Sequence, residues 1–85
     1  MDHVYRIYTE DVDRQAVIPV TSEAFENFTL HETIGYYRGE REDSIVLEIV
    51  DAEETDVQSL AEKIRKLTGQ KSVLIMCLSG RAKRI

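Results

Sequence analysis

Val57, Leu60, Ala61, Ile64 and Leu67 recur at helical spacing, and this stripe lies between two apolar, β-branched runs, residues 44–50 (SIVLEIV) and 72–79 (SVLIMCLS). A helix with one apolar stripe must bury it, and strands on either side of it in the chain supply the surface, so the C-terminal half demands a helix layered on a sheet. The acidic connector of residues 51–56 places Thr55 or Asp56 to cap this helix. Lys63, Arg65 and Lys66 stand near its end, where the macrodipole favours cations, and Gly69 is the expected stop.

The N-terminal half repeats the pattern. Residues 4–9 (VYRIYT) read as a strand ending at the polar Glu10-Asp11. From Asp11 to Phe28 the apolar positions Ala16, Val17, Val20, Ala24 and Phe28 follow a helical period, with Asp11 or Asp13 as the cap. Pro19 removes a backbone donor in that stretch and is expected to kink the helix or to start a second one. Residues 29–37 (TLHETIGYY) alternate, with Leu30, Ile34 and Tyr36 on one side and Thr29, His31 and Thr33 on the other. Glu32 falls on the apolar side, and Gly35 suggests a bulge. The charged residues 38–43 form the turn of a hairpin that continues into 44–50.

The resulting order β-α-β-β-α-β, in 85 residues, is that of a single ferredoxin-like α+β domain over 1–80, followed by a basic tail, 81–85. Two helices cover one face of a four-stranded antiparallel sheet, and the first and third strands are central. Arg6 and Tyr8 on the first strand then lie beside the third. The last strand is apolar on both faces, which fits a central position or a face covered by another subunit. Leu74, Met76 and Leu78 with Val46 and Val50 are more than a wetted face carries, so a homodimer or higher homo-oligomer is expected, through that face or through strand edges.

Charge and composition remove several function classes. Eleven Lys and Arg against sixteen Asp and Glu leave a net charge of −5, and three of the cations, Arg81, Lys83 and Arg84, sit in the tail, so general nucleic-acid binding is not expected. The one cysteine, Cys77, reads as a small buried hydrophobe in a reducing compartment. With no membrane-length apolar run and no leader-like start, the chain is expected to be cytoplasmic, with no membrane partner. His3 and His31 are isolated, and neither metal-ligand spacing nor a Gly-x-Ser-x-Gly elbow occurs, so no metal, no cofactor and no catalytic residue is assigned.

The stretch 35–44 (GYYRGEREDS) is the densest in recognition chemistry. Tyr36 and Tyr37 can stack on a base, Arg38 and Arg41 can grip an anion in bidentate fashion, Gly39 lets backbone NH groups approach closely, and Ser44 adds a hydroxyl. A small nucleotide-like ligand or an acidic loop of a partner suits it. The plainer reading is a hairpin with Tyr36 in the core, Tyr37 half-covering the sheet, and exposed ion pairs of little worth.

Tyr5-Arg6-Ile7, Phe28-Thr29-Leu30, the Gly-Tyr-x-x-Gly-x-x-Glu-x-Ser core at 35–44, Leu60-Ala61-Glu62-Lys63-Ile64 and Gln70-Lys71-Ser72-Val73-Leu74 together resemble a group of short bacteriophage and prophage proteins. The resemblance covers most of the chain and implies a ferredoxin-like fold and an accessory role, binding a host defence protein or a nucleotide signal. By analogy, a non-enzymatic binding module is expected. One alternative is a small dimeric enzyme with His31 or Glu32 as acid or base. Another is an inhibitor whose acidic residues, Glu40, Glu42, Asp43, Asp51, Glu53, Glu54 and Asp56, imitate a nucleic-acid backbone.

Overall fold

The computed structural model describes residues 3–79, so the tail 81–85 lies outside the described residues. The elements are β1 (His3–Glu10), α1 (Arg14–Ala24), β2 (Thr29–Tyr37), β3 (Glu40–Val50), α2 (Glu54–Thr68) and β4 (Leu74–Ser79). They form one antiparallel sheet in the order β2-β3-β1-β4, the expected ferredoxin-like α+β arrangement with β1 and β3 in the centre.

Alternation along the strands divides the sheet into two faces. Tyr5, Ile7 and Thr9 pair with Ile49, Leu47 and Ile45 across the centre, and all six are buried. Val17 of α1 and Val57, Leu60, Ala61 and Ile64 of α2 close over the apolar ones as a single core. Both helices therefore lie on one face. Burial pushes the Tyr5 phenol up, and the neighbouring Cys77 thiol adds to this.

α1 runs from Arg14 through Pro19 to Ala24 as one helix, so no second helix starts there. Asp13 caps it, accepting from the Ala16 amide at 3.3 Å. Pro19 is exposed, and so is Gln15, whose carbonyl loses its helical partner to the missing N–H. The helix ends at Ala24, and the period expected to run on to Phe28 stops there. α2 begins at Glu54 after Glu53, which makes no side-chain cap, so the capping assigned to Thr55 or Asp56 is corrected. Gly69 terminates α2 in the left-handed conformation, as its sequence position implied. Leu67 falls at the exposed rim of the stripe.

β4 is an edge strand, so its two-sided apolarity does not mark a central position. Cys77 is exposed there, which overturns its reading as a buried hydrophobe. Gln70 ties the end of α2 to the end of β1. Its Nε2 donates to Thr9 Oγ1 and Thr68 Oγ1, each at 2.6 Å, and its Oε1 accepts from the Glu10 amide at 3.1 Å.

Candidate functional site

β2 and β3 pair without interruption from Thr29↔Glu48 to Tyr37↔Glu40, so Gly35 sits in regular register opposite Glu42 and forms no bulge. Arg38 and Gly39 make the turn, both with positive φ, at 51° and 80°. A two-residue connection of this kind matches the twist of its strands and requires left-handed backbone at both positions. The expected six-residue turn is thus two residues long, and the strands run out to the tip.

The hairpin separates the six candidate residues. Tyr36 and Arg41 are opposite one another on the helix side, with Ile34 and Asp43 in the next row. The α1 layer does not extend over them. Tyr36 is 71% exposed and is no part of the core. Arg41 Nη2 donates to Asp43 Oδ1 at 3.3 Å.

Tyr37 and Ser44 face the other, open side. Tyr37 is 61% exposed, and the Arg38 guanidinium lies 5.3 Å from its ring centroid, occupying one side of the ring. Ser44 Oγ and Thr33 Oγ1 are 2.6 Å apart. Between this hydroxyl pair and the Tyr37 ring comes Gly35, which has no side chain. The result is a flat notch, floored by backbone, with an aromatic wall at one end and two hydroxyls at the other. A Cβ on Gly35 would stand 3.8 Å from Ser44 Oγ and from the Glu42 carbonyl oxygen, in ordinary contact. The opposing β3 residues on this side are Glu42 and Glu40, so the notch has a carboxylate border. Thr33 and Gly35, absent from the candidate set, complete the notch; the signal was the i, i+2 spacing to Tyr37.

Further along the open face, Arg6 Nε donates to Glu48 Oε1 at 2.8 Å, and His31 Nε2 is 3.7 Å from the same oxygen. Glu48, and after it Tyr8, holds the Arg6 guanidinium above its ordinary value. Glu32 projects from the opposite side, where it pairs with Arg14 at 3.2 Å. His31 and Glu32 are therefore on different faces and do not form an acid–base couple. The acidic residues also divide. Glu40, Glu42 and Asp43 lie at the hairpin end of β3, whereas Asp51, Glu53, Glu54 and Asp56 lie beyond its other end, so they do not make one continuous stripe. A shallow, open depression lined by Glu10, Asp11, Val12, Glu42 and Asp43 adds to the acidity near the hairpin. Among the described residues no group of three or more potential metal ligands occurs, and no helix is long and apolar enough to cross a membrane.

No family model matches the sequence, and no curated protein matches it. Solved structures share its fold. A phage SAM lyase in the apo state is 18% identical, with a TM-score of 0.72 over 89% of this chain and 78% of that one. CutA from Synechococcus elongatus, complexed with a Bis-Tris molecule, is 11% identical, with a TM-score of 0.63 over 93% of this chain and 79% of that one. GlnK from Bacillus subtilis, in complex with ATP, is 13% identical, with a TM-score of 0.63 over 91% of this chain and 81% of that one.

Proposed function

We propose that this chain is a small, non-enzymatic binding module for a nucleotide-like ligand of the adenosine kind, taken up at the open side of the β2–β3 hairpin. The notch at Gly35 carries this reading. A planar base laid over the glycine stacks against the Tyr37 ring and meets the Thr33 and Ser44 hydroxyls along its edge. Arg38 holds the ring from behind, and Gly39 supports the turn. Glu42 and Glu40 border the same side, so a ligand with a cationic group is favoured over a polyphosphate. Two of the similar folds belong to a SAM lyase and to a protein crystallised with ATP, which supports the adenosine class. The uncovered apolar side of the sheet supports action as a homo-oligomer. The resemblance to phage proteins supports an accessory role, the ligand being sequestered from a host in the cytoplasm.

A second reading has its own observation. Ile34 and Tyr36 are exposed side by side on the helix side of the hairpin, beside Arg41, and such a surface suits a protein partner such as a host defence protein.

Calorimetric titration with S-adenosylmethionine, adenosine and ATP tests the first reading. S-adenosylmethionine binds best and ATP worst. Tyr37→Ala removes a stacking contact of about 1–3 kcal/mol, a loss of roughly 5- to 150-fold in affinity. No binding by any of the three, or binding indifferent to Tyr37→Ala, refutes the adenosine site and leaves the protein-binding surface of Ile34 and Tyr36.

A further inference from the structure

We infer that the open face of the sheet is where copies of this chain meet, and that the Arg6–Glu48 pair at its centre fixes how they meet by pairing again with its counterpart in the second copy. The inference concerns assembly and stands apart from the ligand. On this face β4 contributes Leu74 and Met76, 57% and 40% exposed, with Leu78 next in line. Val4 and Val50 form the adjoining row across β1 and β3, and Tyr8 and Val46 form the row on the other side of the ion pair. Leu74, Met76 and Val50 are exposed and Val4 and Tyr8 half-buried, whereas Val46 is already buried within the single chain.

The ion pair at the centre of this face is self-complementary. Arg6 and Glu48 are directly opposite on β1 and β3, the two central strands. A two-fold axis running along the strands between β1 and β3 lays β1 of one copy over β3 of the other. Arg6 then meets the partner's Glu48, and Val4 meets the partner's Val50. Each charge keeps its own partner and gains a second one of opposite sign. Met76 and Leu74 of β4 come to lie over Thr29 and His31 of the partner's β2, where they are removed from water.

The dimensions are adequate. Four strands at a spacing of about 4.8 Å and eight residues at about 3.3 Å each give a flat footprint of roughly 500 Å². Side-chain relief raises this toward the roughly 800 Å² per partner of a standard interface. An apolar face alone would allow sliding and rotation, because apolar contact is non-directional. One ion pair off the axis penalises every register that sets like charges against each other, which is the best-attested use of a buried polar pair.

Sedimentation velocity on the full chain without ligand tests this. The wild type sediments as a homo-oligomer. Met76→Lys changes an exposed edge-strand residue that a monomer tolerates, so circular dichroism stays native while the assembly dissociates. Leu67→Lys, at an exposed position on the helix side, leaves the assembly intact. Arg6→Glu weakens association by at least about tenfold, and the double exchange Arg6→Glu/Glu48→Arg restores it. A cyclic trimer, which a two-fold contact cannot build, overturns the inference. A monomeric wild type, an assembly indifferent to Met76→Lys, or a double exchange that fails to restore association overturns it.

Discussion

Gly35→Ala separates the needs of the fold from those of the proposed site. Gly35 is in the middle of β2, in regular pairing with Glu42, and its backbone is not left-handed. An alanine there reduces the freedom of the unfolded chain, and the added Cβ meets Glu42 O and Ser44 Oγ at 3.8 Å, with no clash to offset the gain. The expected effect is a stabilisation of about 0.5–1 kcal/mol, read as a rise in Tm of roughly 2–8 °C for a domain of this size. The same methyl group occupies the floor of the notch on which the base would lie. Affinity for the best of the three adenosine probes is expected to fall by about tenfold or more, equivalent to about 1.4 kcal/mol. Thermal unfolding and calorimetric titration on one preparation give both numbers. A lowered Tm shows that the backbone at Gly35 cannot accept a side chain and refutes the geometric argument. A raised Tm with unchanged affinity shows that the ligand does not use the notch.

Other expectations follow from the scaffold. Gln70→Ala removes two hydrogen bonds from its amide nitrogen and one to its oxygen, leaving the buried Thr9 hydroxyl poorly served, and should cost about 2 kcal/mol, or roughly 8–16 °C in Tm. Urea titration checks it, and a loss below about 0.5 kcal/mol would mean that water replaces the latch. Leu47→Ala opens the centre of the core, where Leu47 faces Ile7, and should cost about 2–5 kcal/mol with an unchanged m-value. Arg38→Asn puts a residue that tolerates left-handed backbone at the first turn position and should raise Tm, whereas Gly39→Ala should lower it. The Arg65 guanidinium beside Glu62 holds its carboxyl below the usual carboxylate range. The stability this confers is present above that range and is lost as pH falls through the folded-state value. Glu62→Gln should therefore be the less stable protein near neutrality and equal to the wild type in acid, as a stability–pH series would report.

Much of the fold is legible in the residues because local period and global burial agree. The stripe of α2 and its Gly69 stop, the alternation of β2 and the apolar centre of β3 each name an element and the face it buries. Where the reading fails, the deciding contact is not local. An edge strand that is apolar on both sides has the same composition as a central strand, so β4 and Cys77 look more enclosed than they are. Pro19 is tolerated because α1 turns that side to water, and the side a helix exposes is settled by packing elsewhere. Glu53 and Glu54 open α2 without a side-chain cap, leaving the burial of Val57 and Leu60 to fix its start.

The site was legible as a set of residue types and not as a constellation. Two tyrosines in sequence look like a clamp, yet adjacent strand residues point to opposite faces, so Tyr36 and Tyr37 cannot hold one ring between them within a single chain. What can act together is set by steps of two. Thr33, Gly35 and Tyr37 share a side, Ser44 joins them through its register with Thr33, and Tyr36 is left with Arg41 on the other. That division follows from the Arg38-Gly39 turn alone, because a turn one residue longer would slip β3 and send Ser44 to the opposite face from Thr33. The glycine that reads as a turn residue in the sequence is therefore what assembles the hydroxyl pair, and the glycine that reads as a bulge is what leaves room beside it.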